Sequence, residues 1–330
     1  MKTLTISVAA YNVSKYLNKL CQSIIDSDYL EEIELLIVDD GSKDDTAKIA
    51  QGYEAKYPNS ICYVAKKNGG HGSTINKGIE VATGKYFKVL DGDDWFDTTG
   101  LNKLMDTLCH TDCDLFVTDR KRVFEDTGIE IIDSPQGIPL NQICVVDDIC
   151  VQMSRLLFHS VFVRTSILKD NNVHIDEHCF YVDNEILWYP FPYINTIYYV
   201  DTVVYCYRLG LADQSVNTKV IAKRFDQHEF VSLQMLNFYT QVINDFSESR
   251  KIYFNRVMAN NVEWHFETLL LLPFMINNWR KVIEYRNIVR EKAPAIIPYF
   301  NAEAVSLLTR SPILFYPIVW MKKRKIRGAK

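Results

Sequence analysis

Residues 33–42 read IELLIVDDGS, a mostly apolar run that ends in two aspartates, a glycine and a serine. A nearly continuous apolar strand is typical of a sheet whose two faces are both covered. Aspartate, glycine and serine favour a turn, and Ser42 followed by Asp45 predicts a capping box at the start of a helix. The stretch therefore predicts a buried strand, a turn and a new helix, which together form one unit of a parallel sheet.

The same alternation extends to both sides of this stretch. Apolar runs predict further strands at 4–10, 61–65, 86–90 and 114–118, and apolar residues at helical spacing predict helices between them. Strands that alternate with helices indicate an α/β fold with a mostly parallel, doubly wound sheet and right-handed crossovers. Ligands of such sheets bind at the carboxyl ends of the strands.

Polar residues and glycines collect where the predicted strands end. The first strand ends in AAYN (9–12), the third leads into NGGHG (68–72, the NGGHG loop), and the fourth ends in DGDD (91–94, the DGDD turn). Taken singly, DDGS is a turn with a helix cap, NGGHG a flexible turn, and DGDD either an acidic turn or a metal site. NGGHG matches neither GxGxxG nor GxxxxGK[ST]. Because the stretches share one rim, together they predict a ligand site.

The DGDD turn predicts a metal. Neighbouring carboxylates repel one another, and each raises the pKa of the others. Mg²⁺ and Mn²⁺ prefer hard oxygen ligands, and they commonly bind one or two carboxylates together with phosphate oxygens. The turn therefore predicts Mn²⁺ or Mg²⁺ as cofactor and a diphosphate as ligand.

Composition narrows the class of protein. The 330 residues are 48% apolar and 24% charged, as in globular proteins, and the net charge of −4 gives no footprint for nucleic-acid binding. Eight cysteines without a CxxC motif indicate reduced thiols in a cytosolic protein. The first twelve residues, MKTLTISVAAYN, favour an N-terminal strand over a signal peptide.

The motifs resemble those of family 2 glycosyltransferases, which are inverting enzymes with the GT-A fold. The resemblance rests on SVAAYN, LLIVDDGSKDDT, KKNGGHGSTINKGIEVATGKYFKVLDGDDWF and FYVDNEILWYPF, and it covers about residues 1–208. It implies a GT-A domain over residues 1–219, with a nucleotide-sugar-binding half at 1–119 and an acceptor half at 120–219.

The resemblance also implies roles for single residues. Asp183 would be the catalytic base, although Val182 replaces the glutamate that often precedes it in the family; the alternative for Asp183 is a helix N-cap. Asp39 would accept from the uracil N3–H, which favours a UDP-sugar. The implied donor-binding residues are Ala9, Tyr11, Asp39, Asn68, Gly69, Asp91 and Gly92; the metal ligands are Asp93 and Asp91; and the sugar or acceptor contacts are Asp94, Trp95, His159, Glu185 and Arg208.

For two of these residues a purely structural role is the alternative, and a nearby loop departs from the family pattern. A lone histidine such as His159 is more often structural, and Arg208 either supplies the diphosphate contact or is a salt-bridge partner. In the loop that leads to Gln214 and Ser215, Leu211 stands where the family commonly has a basic residue. The loop therefore departs from the family at its expected diphosphate contact.

The resemblance implies that the chain transfers a sugar to a glycan or lipid-linked glycan, as in bacterial surface-polysaccharide pathways. A nucleotidyltransferase would share the sheet and the carboxylates, but AAYNVSKYL lacks the expected glycine-rich basic loop. A DxDxT phosphatase would carry its aspartates on the first strand. A catalytically degenerate subunit would bind the nucleotide sugar without turnover.

Residues 220–330 differ in pattern, since their apolar residues recur at helical spacing. The last twenty residues, SPILFYPIVWMKKRKIRGAK, join a short apolar segment to six lysines and arginines. This combination is typical of contact with an anionic membrane surface, and the alternative is a buried terminal helix with a solvated basic tail. The predicted location is cytoplasmic, with peripheral contact at the inner face of the plasma membrane through residues 311–330.

Overall fold

The computed structural model describes residues 2–210, 218–273 and 275–328, with only the backbone described for residues 218, 219, 222 and 322–328. The chain divides into two compact units, Met1–Ala212 and Asp213–Lys330.

The first unit opens with the predicted alternation of strands and helices. Its leading elements are β1 (Leu4–Ala10), α1 (Ser14–Ile25), β2 (Ile33–Asp39), α2 (Thr46–Lys56), β3 (Ile61–Ala65), α3 (His71–Val81), β4 (Tyr86–Asp91), β5 (Trp95–Phe96) and α4 (Thr98–His110). The remaining elements are β6 (Leu115–Phe124), β7 (Glu130–Asp133), β8 (Ile143–Val145), α5 (Val146–Ile149), β9 (Val161–Arg164), α6 (Thr165–Asp170), α7 (Glu185–Trp188) and β10 (Thr196–Leu209).

The capping box predicted at Ser42 is wrong. Ser42 Oγ instead accepts from the backbone N–H of Asn12 at 2.9 Å, while Asp44 Oδ1 accepts from the backbone N–H of Thr46 at 3.0 Å, at the start of α2. The loop after β1 crosses this turn, so the serine ties the ends of β1 and β2 together rather than starting α2.

The strands form one sheet in the order β3-β2-β1-β4-β9-β6-β10-β5, with β7 on β6 and β8 on β10. Strands β1 to β4 are mutually parallel, as predicted, and β10 is parallel to β6. Strand β9 is antiparallel to both of its neighbours, β4 and β6. Strand β9 has only four residues, and α6 follows it directly. The GT-A type of α/β fold is confirmed, with a sheet that is mixed beyond β4.

A buried lysine joins β4 to the segment that enters β9. Lys88 is 1% exposed, and its Nζ donates to the backbone carbonyls of Phe158 at 2.6 Å, His159 at 2.5 Å and Val161 at 3.2 Å. A buried cation needs such acceptors to replace water. Burial lowers the pKa of Lys88 well below its usual range.

The second unit is helical, as predicted. Its helices are α8 (Thr218–Lys223), α9 (Phe225–Val242), α10 (Glu248–Leu269), α11 (Ile276–Lys292), α12 (Glu303–Arg310) and α13 (Phe315–Gly328). Its interior includes polar pairs, such as Ser232 Oγ with Tyr285 OH at 2.6 Å and His228 Nδ1 with His265 Nδ1 at 3.1 Å. Among the described residues of the whole chain, no helix combines the length and the apolar character needed to cross a bilayer.

Candidate active site

Three parallel strands bring their carboxyl ends to one rim of the sheet. In the strand register, Ala10 pairs with Asp39 of β2 and Ala9 pairs with Asp91 of β4. Tyr11 follows β1 directly and is 50% exposed. The fold therefore brings together four of the residues that the sequence predicts to bind the donor.

Asp39 lies at this rim and keeps acceptor capacity. Its carboxylate accepts from the backbone N–H of Ser42 at 2.9 Å and from the hydroxyl of Tyr63 at 2.9 Å. Burial, reinforced by the hydrogen bond to Asp39, raises the pKa of Tyr63 to about 12, so this hydroxyl remains a donor. Because a carboxylate offers about four lone-pair positions, Asp39 can accept a further N–H from a ligand.

Asp40, the next residue, holds the NGGHG loop. Its Oδ1 lies 2.6 Å from Lys66 Nζ and accepts from the backbone N–H of Gly69 at 2.9 Å, while Oδ2 accepts from the N–H of Gly70 at 2.8 Å. Asn68 Nδ2 donates to the Asp40 carbonyl oxygen at 2.9 Å. The predicted donor residues Asn68 and Gly69 are thus fixed in place by the end of β2.

Two glycines let the NGGHG loop pack against residues 175–185. Gly70 has φ of +86°, in the left-handed region that favours glycine. A Cβ at Gly72 would lie 2.0 Å from the backbone oxygen of Asp176. The backbone N–H of His178 also donates to the Gly69 carbonyl at 2.7 Å. Side chains at these two glycines would force the loop and the segment apart.

The DGDD turn places its aspartates differently. A Cβ at Gly92 would lie 2.9 Å from the Ala9 carbonyl oxygen, so the glycine lets the turn approach β1. Asp93 is half-buried, whereas Asp94 is 1% exposed. The Asp94 carboxylate accepts from the Tyr205 hydroxyl at 2.7 Å and from the Arg208 backbone N–H at 2.7 Å. These internal partners favour a supporting role for Asp94 over the predicted sugar contact.

Arg208, at the end of β10, supports the same turn. Its Nε donates to the Asp93 carbonyl oxygen at 2.7 Å, and its guanidinium pairs with Glu125. The guanidinium lies 4.8 Å from the ring centroid of Trp95, and Arg208 is 6% exposed. This is the salt-bridge alternative for Arg208, with Trp95 packed against it. The loop residues Leu211, Gln214 and Ser215 lie outside the described residues.

The carboxylates of the turn perturb one another. Burial, together with the charges of Asp183 and Asp93, raises the pKa of Asp91 to about 7, although His71 partly opposes the shift. Burial also raises the pKa of Asp93, against the attraction of Arg208. Raised carboxyl pKa values at a cleft are common where a site binds a ligand or a metal.

His71 lies between two of the predicted site residues. Its Nε2 is 3.3 Å from Asp91 Oδ1, and its Nδ1 is 3.4 Å from Asp183 Oδ1. The NGGHG motif predicts a loop at the rim but assigns no role to its histidine. The one available signal was a titratable side chain within a glycine-rich stretch at a strand end.

Asp183 sits on a short 3-10 turn, Val182–Asn184, and its side chain is 44% exposed. The N-cap alternative for Asp183 fails, because Tyr181 caps this turn and Asn184 precedes α7, neither with a side-chain cap hydrogen bond. Tyr181 has φ of +73°, a left-handed conformation that is rare for an aromatic residue. Backbone strain of this kind clusters at functional sites.

Glu185, two residues further on, faces the interior. It is fully buried, and its Oε2 accepts from the backbone N–H of Asp176 at 2.9 Å. Burial raises the pKa of Glu185 to about 9. This placement does not favour the predicted contact of Glu185 with an acceptor, and it leaves Asp183 as the acidic residue that faces solvent.

His159 packs beneath the site. It is 8% exposed, and its ring centroid lies 4.5 Å from that of Tyr207. Its Nδ1 lies 3.0 Å from Arg120 Nη1, and a guanidinium can only donate, so Nδ1 is the acceptor. Burial lowers the pKa of His159 well below its usual range, which keeps the ring neutral. The contacts support the structural alternative for this residue.

Two sets of side chains could hold a metal. Ligand atoms of Asp91, Asp94 and His159 lie within 4.8 Å of one another. A neutral His159 whose Nδ1 accepts from Arg120 carries its proton on Nε2, which leaves no lone pair for a metal. Asp91 and Asp93 instead offer part-exposed carboxylates whose mutual repulsion a divalent ion would offset. The Asp91 and Asp93 pair fits Mg²⁺ or Mn²⁺.

Solved structures of other proteins share this fold. S. aureus TarS 1-349 in complex with UDP has a TM-score of 0.69 at 17% identity, covering 98% of this chain and 92% of that chain. Its complex with UDP-GlcNAc gives the same TM-score at 19% identity. The mannosyltransferase PcManGT from Pyrobaculum calidifontis, in complex with GDP-Man and Mn²⁺, has a TM-score of 0.52 at 12% identity, covering 98% of this chain and 88% of that chain.

Sequence relatives agree with the structural ones. An uncharacterized glycosyltransferase of Rickettsia prowazekii, RP339, is 31% identical over 226 residues, which are 65% of this chain. The match spans 66% of that relative, just under two thirds of its length. The sequence profile of glycosyl transferase family 2 matches residues 5–180, more than half of the chain. The chain therefore belongs to glycosyl transferase family 2.

Proposed function

We propose that this protein is an inverting glycosyltransferase that moves a sugar from a UDP-sugar to a hydroxyl of a glycan or lipid-linked glycan, in the synthesis of a bacterial surface polysaccharide. The observation that carries the proposal is the joint placement of Asp39, Asp91 and half-exposed Asp183 along one rim, with His71 within 3.4 Å of both Asp91 and Asp183. The donor would bind mainly to residues 1–119, and the acceptor to residues 120–219.

Uridine recognition would fall to the ends of β1 and β2. The Asp39 carboxylate, already oriented by Ser42 and Tyr63, would accept the N3–H of uracil. The exposed ring of Tyr11 is free to cover one face of the base. The UDP complexes of TarS, which shares the fold, make uridine the first nucleotide to test.

Mn²⁺ or Mg²⁺ would be held by Asp91 and Asp93. When bound, the ion would stabilise the negative charge that develops on the departing diphosphate. The protein contributes the placement of these carboxylates. Gly92 allows the turn to approach β1, and Arg208 fixes the turn through the carbonyl of Asp93.

The transfer would be a single displacement. The acceptor oxygen forms a bond to the anomeric carbon while the bond from that carbon to the diphosphate oxygen breaks, and the electron pair leaves with UDP. Asp183 takes the proton of the attacking hydroxyl, a role worth roughly 10²–10⁴-fold in rate. One displacement inverts the configuration at the anomeric carbon and requires no covalent enzyme intermediate.

The test measures UDP release from a panel of UDP-sugars with Mn²⁺, using the wild type, Asp93→Ala and Asp183→Ala. Asp106→Ala is the control, because its side chain is 65% exposed on α4 and lies outside the rim. We expect release from one donor, reduced by at least about 100-fold in the Asp93 and Asp183 variants and retained in the control.

Other outcomes identify the competing functions. Tight Mn²⁺-dependent binding of UDP without release, from any donor or with any glycan acceptor, would indicate a degenerate binding subunit. Release of pyrophosphate from nucleoside triphosphates would indicate a nucleotidyltransferase. Failure to bind any nucleotide would contradict the proposed transferase function.

We also propose peripheral membrane contact through residues 311–330. Four exposed apolar residues recur at helical spacing along the start of this segment: Ile313, Pro317, Trp320 and Met321. The sequence KKRKIR at 322–327 follows them directly. An exposed apolar stripe next to a basic run complements the apolar and anionic layers of a membrane surface.

Flotation of the full chain with phosphatidylcholine vesicles, with or without phosphatidylglycerol, tests this contact. We expect binding only to the anionic vesicles, and loss of binding in Trp320→Ser with Met321→Ser. Met275→Ser with Ile276→Ser is the matched control, because these side chains are 52% and 54% exposed against 54% and 50% for Trp320 and Met321. Equal binding by both double variants, or no binding by the wild type, would contradict the proposal.

A further inference from the structure

The imidazole of His71 lies between two carboxylates that the proposed function assigns to different tasks. Nε2 is 3.3 Å from Oδ1 of Asp91, on the donor side, and Nδ1 is 3.4 Å from Oδ1 of Asp183, the proposed base. Among the described residues, the Asp183 side chain has one ion-pair partner, which is His71. The Asp183 carboxylate is otherwise a half-exposed group on a short turn.

The surrounding structure is built to place this ring. The two residues that precede His71 are held by Asp40, whose carboxylate accepts from the backbone N–H groups of Gly69 and Gly70. On the other side, the absent side chain of Gly72 leaves room for the backbone of Asp176. His71 is also the first residue of α3, so its backbone is set by the helix start. The loop that carries His71 and the segment that carries Asp183 are therefore held together by their backbones.

We propose that His71 is a positioning residue that holds the Asp183 carboxylate toward the acceptor hydroxyl, with its other ring nitrogen facing the donor-side Asp91. This inference rests on the proposed function, since it takes Asp183 as the base. A carboxylate on a free rotamer would spend much of its time turned away from the hydroxyl. Misplacement of a reacting group by about 1 Å can cost on the order of 100-fold in rate.

Two amide variants separate the two contacts. The amide nitrogen of asparagine occupies nearly the place of Nδ1, and that of glutamine nearly the place of Nε2. His71→Asn thus keeps a donor toward Asp183 and loses the contact with Asp91. His71→Gln keeps a nitrogen near Asp91 and loses the one near Asp183.

The measurements are kcat and donor KM for UDP release, Mn²⁺-dependent UDP affinity by calorimetry, and the midpoint of thermal unfolding. We expect His71→Gln to lose about 10–100-fold in kcat, with UDP affinity changed less than about threefold. We expect His71→Asn to lose about tenfold less kcat than His71→Gln and to raise the donor KM instead, because it keeps the nitrogen near Asp183 and loses the one near Asp91. A histidine that only fills space would lower the unfolding midpoint in both variants without this split.

A second comparison guards against a general loss of folding. In an Asp183→Ala background, His71→Gln should cause no further loss of kcat, because a positioning residue has nothing left to position. A full additional loss there, or equal kcat in His71→Asn and His71→Gln, would overturn the inference while leaving the transferase intact. If the wild type releases no UDP, both the proposed function and this inference fall.

Discussion

The ends of β2 and β4 each carry two adjacent aspartates, and the two pairs divide their roles in a similar way. The second member of each pair holds a distant part of the chain: Asp40 binds the NGGHG loop, and Asp94 binds the backbone of Arg208. The first members, Asp39 and Asp93, keep acceptor capacity at the rim. In each pair the residue nearer the strand, Asp39 at the end of β2 and Asp93 in the turn after β4, is the one proposed to bind a ligand, and its neighbour is the anchor.

The largest effect we expect is from Asp40→Ala. This change leaves Lys66, which is 17% exposed, without its carboxylate and frees two backbone donors of the NGGHG loop. Each buried donor left without an acceptor costs about 1–3 kcal/mol of unfolding free energy, and Lys66 Nζ keeps the carbonyl of Lys67 and the hydroxyl of Ser73 as acceptors. Urea denaturation measures this cost, and Asp39→Ala should cost clearly less. Equal losses of unfolding free energy in the two variants would contradict the assignment of Asp40 as the anchor and Asp39 as the ligand position.

Asp94→Ala should destabilise the protein next most strongly. The Tyr205 hydroxyl and the Arg208 backbone N–H would both lose their acceptor, at a cost of about 1–3 kcal/mol for each buried group left unpaired. Asp93→Ala removes a half-buried side chain and should cost less than about 1 kcal/mol. The same denaturation series would contradict the comparison if Asp93 proved the more important residue for stability.

Asp39→Asn should act on ligand binding more than on stability. An amide oxygen is a weaker acceptor than a carboxylate, so we expect UDP affinity to fall about tenfold, equivalent to about 1.4 kcal/mol. Calorimetric titration with UDP measures this change, and the Asp106→Ala protein should bind as the wild type does. Unchanged UDP affinity in Asp39→Asn would remove Asp39 from the ligand positions.

A pH-dependent effect extends the comparison to a third pair, half-exposed Asp183 and buried Glu185. Because the pKa of Glu185 is raised to about 9 in the folded protein, the folded state holds a proton that the unfolded state releases near pH 4.5. Its contribution to stability is full below the unfolded pKa and is lost as the pH rises toward 9, by about 1.4 kcal/mol for each pH unit.

Glu185→Gln should remove this slope. Unfolding free energies measured between pH 5 and pH 9 should therefore fall less steeply in the variant than in the wild type. Glu80→Gln serves as the control, because this side chain is 67% exposed on α3, and it should retain the wild-type slope. Parallel curves for the wild type and Glu185→Gln would show that Glu185 does not carry the proton.

The parallel half of the sheet was predictable because each unit is local in sequence. The residues of a run such as IELLIVDDGS are enough to predict its strand, its turn and the start of the next helix. Strand β9 was not predictable in this way, because its place between β4 and β6 depends on partners far away in the chain. Its four residues are too few to show a periodic pattern, and such a pattern would not indicate whether the strand runs parallel or antiparallel to its neighbours.

The candidate site divides along the same line. The doubled aspartates and the glycines could be located from their positions at strand ends. Which aspartate of a pair becomes the anchor depends on groups such as Lys66 and Tyr205 that only the fold brings close. His71 could not be assigned a role, because its neighbours Asp91 and Asp183 lie 20 and 112 residues further along the chain.

The lysine inside β4 has a consequence for the order in which the chain can fold during its synthesis. Strands β1 to β4 are complete once the ribosome has passed residue 91, yet the carbonyls that receive Lys88 belong to residues 158–161. Until those residues emerge, the ammonium group has no internal acceptors, and the outer edge of β4 has no neighbouring strand. A charge on an open edge hinders pairing with another chain, so Lys88 protects the nascent sheet before it becomes part of the finished one.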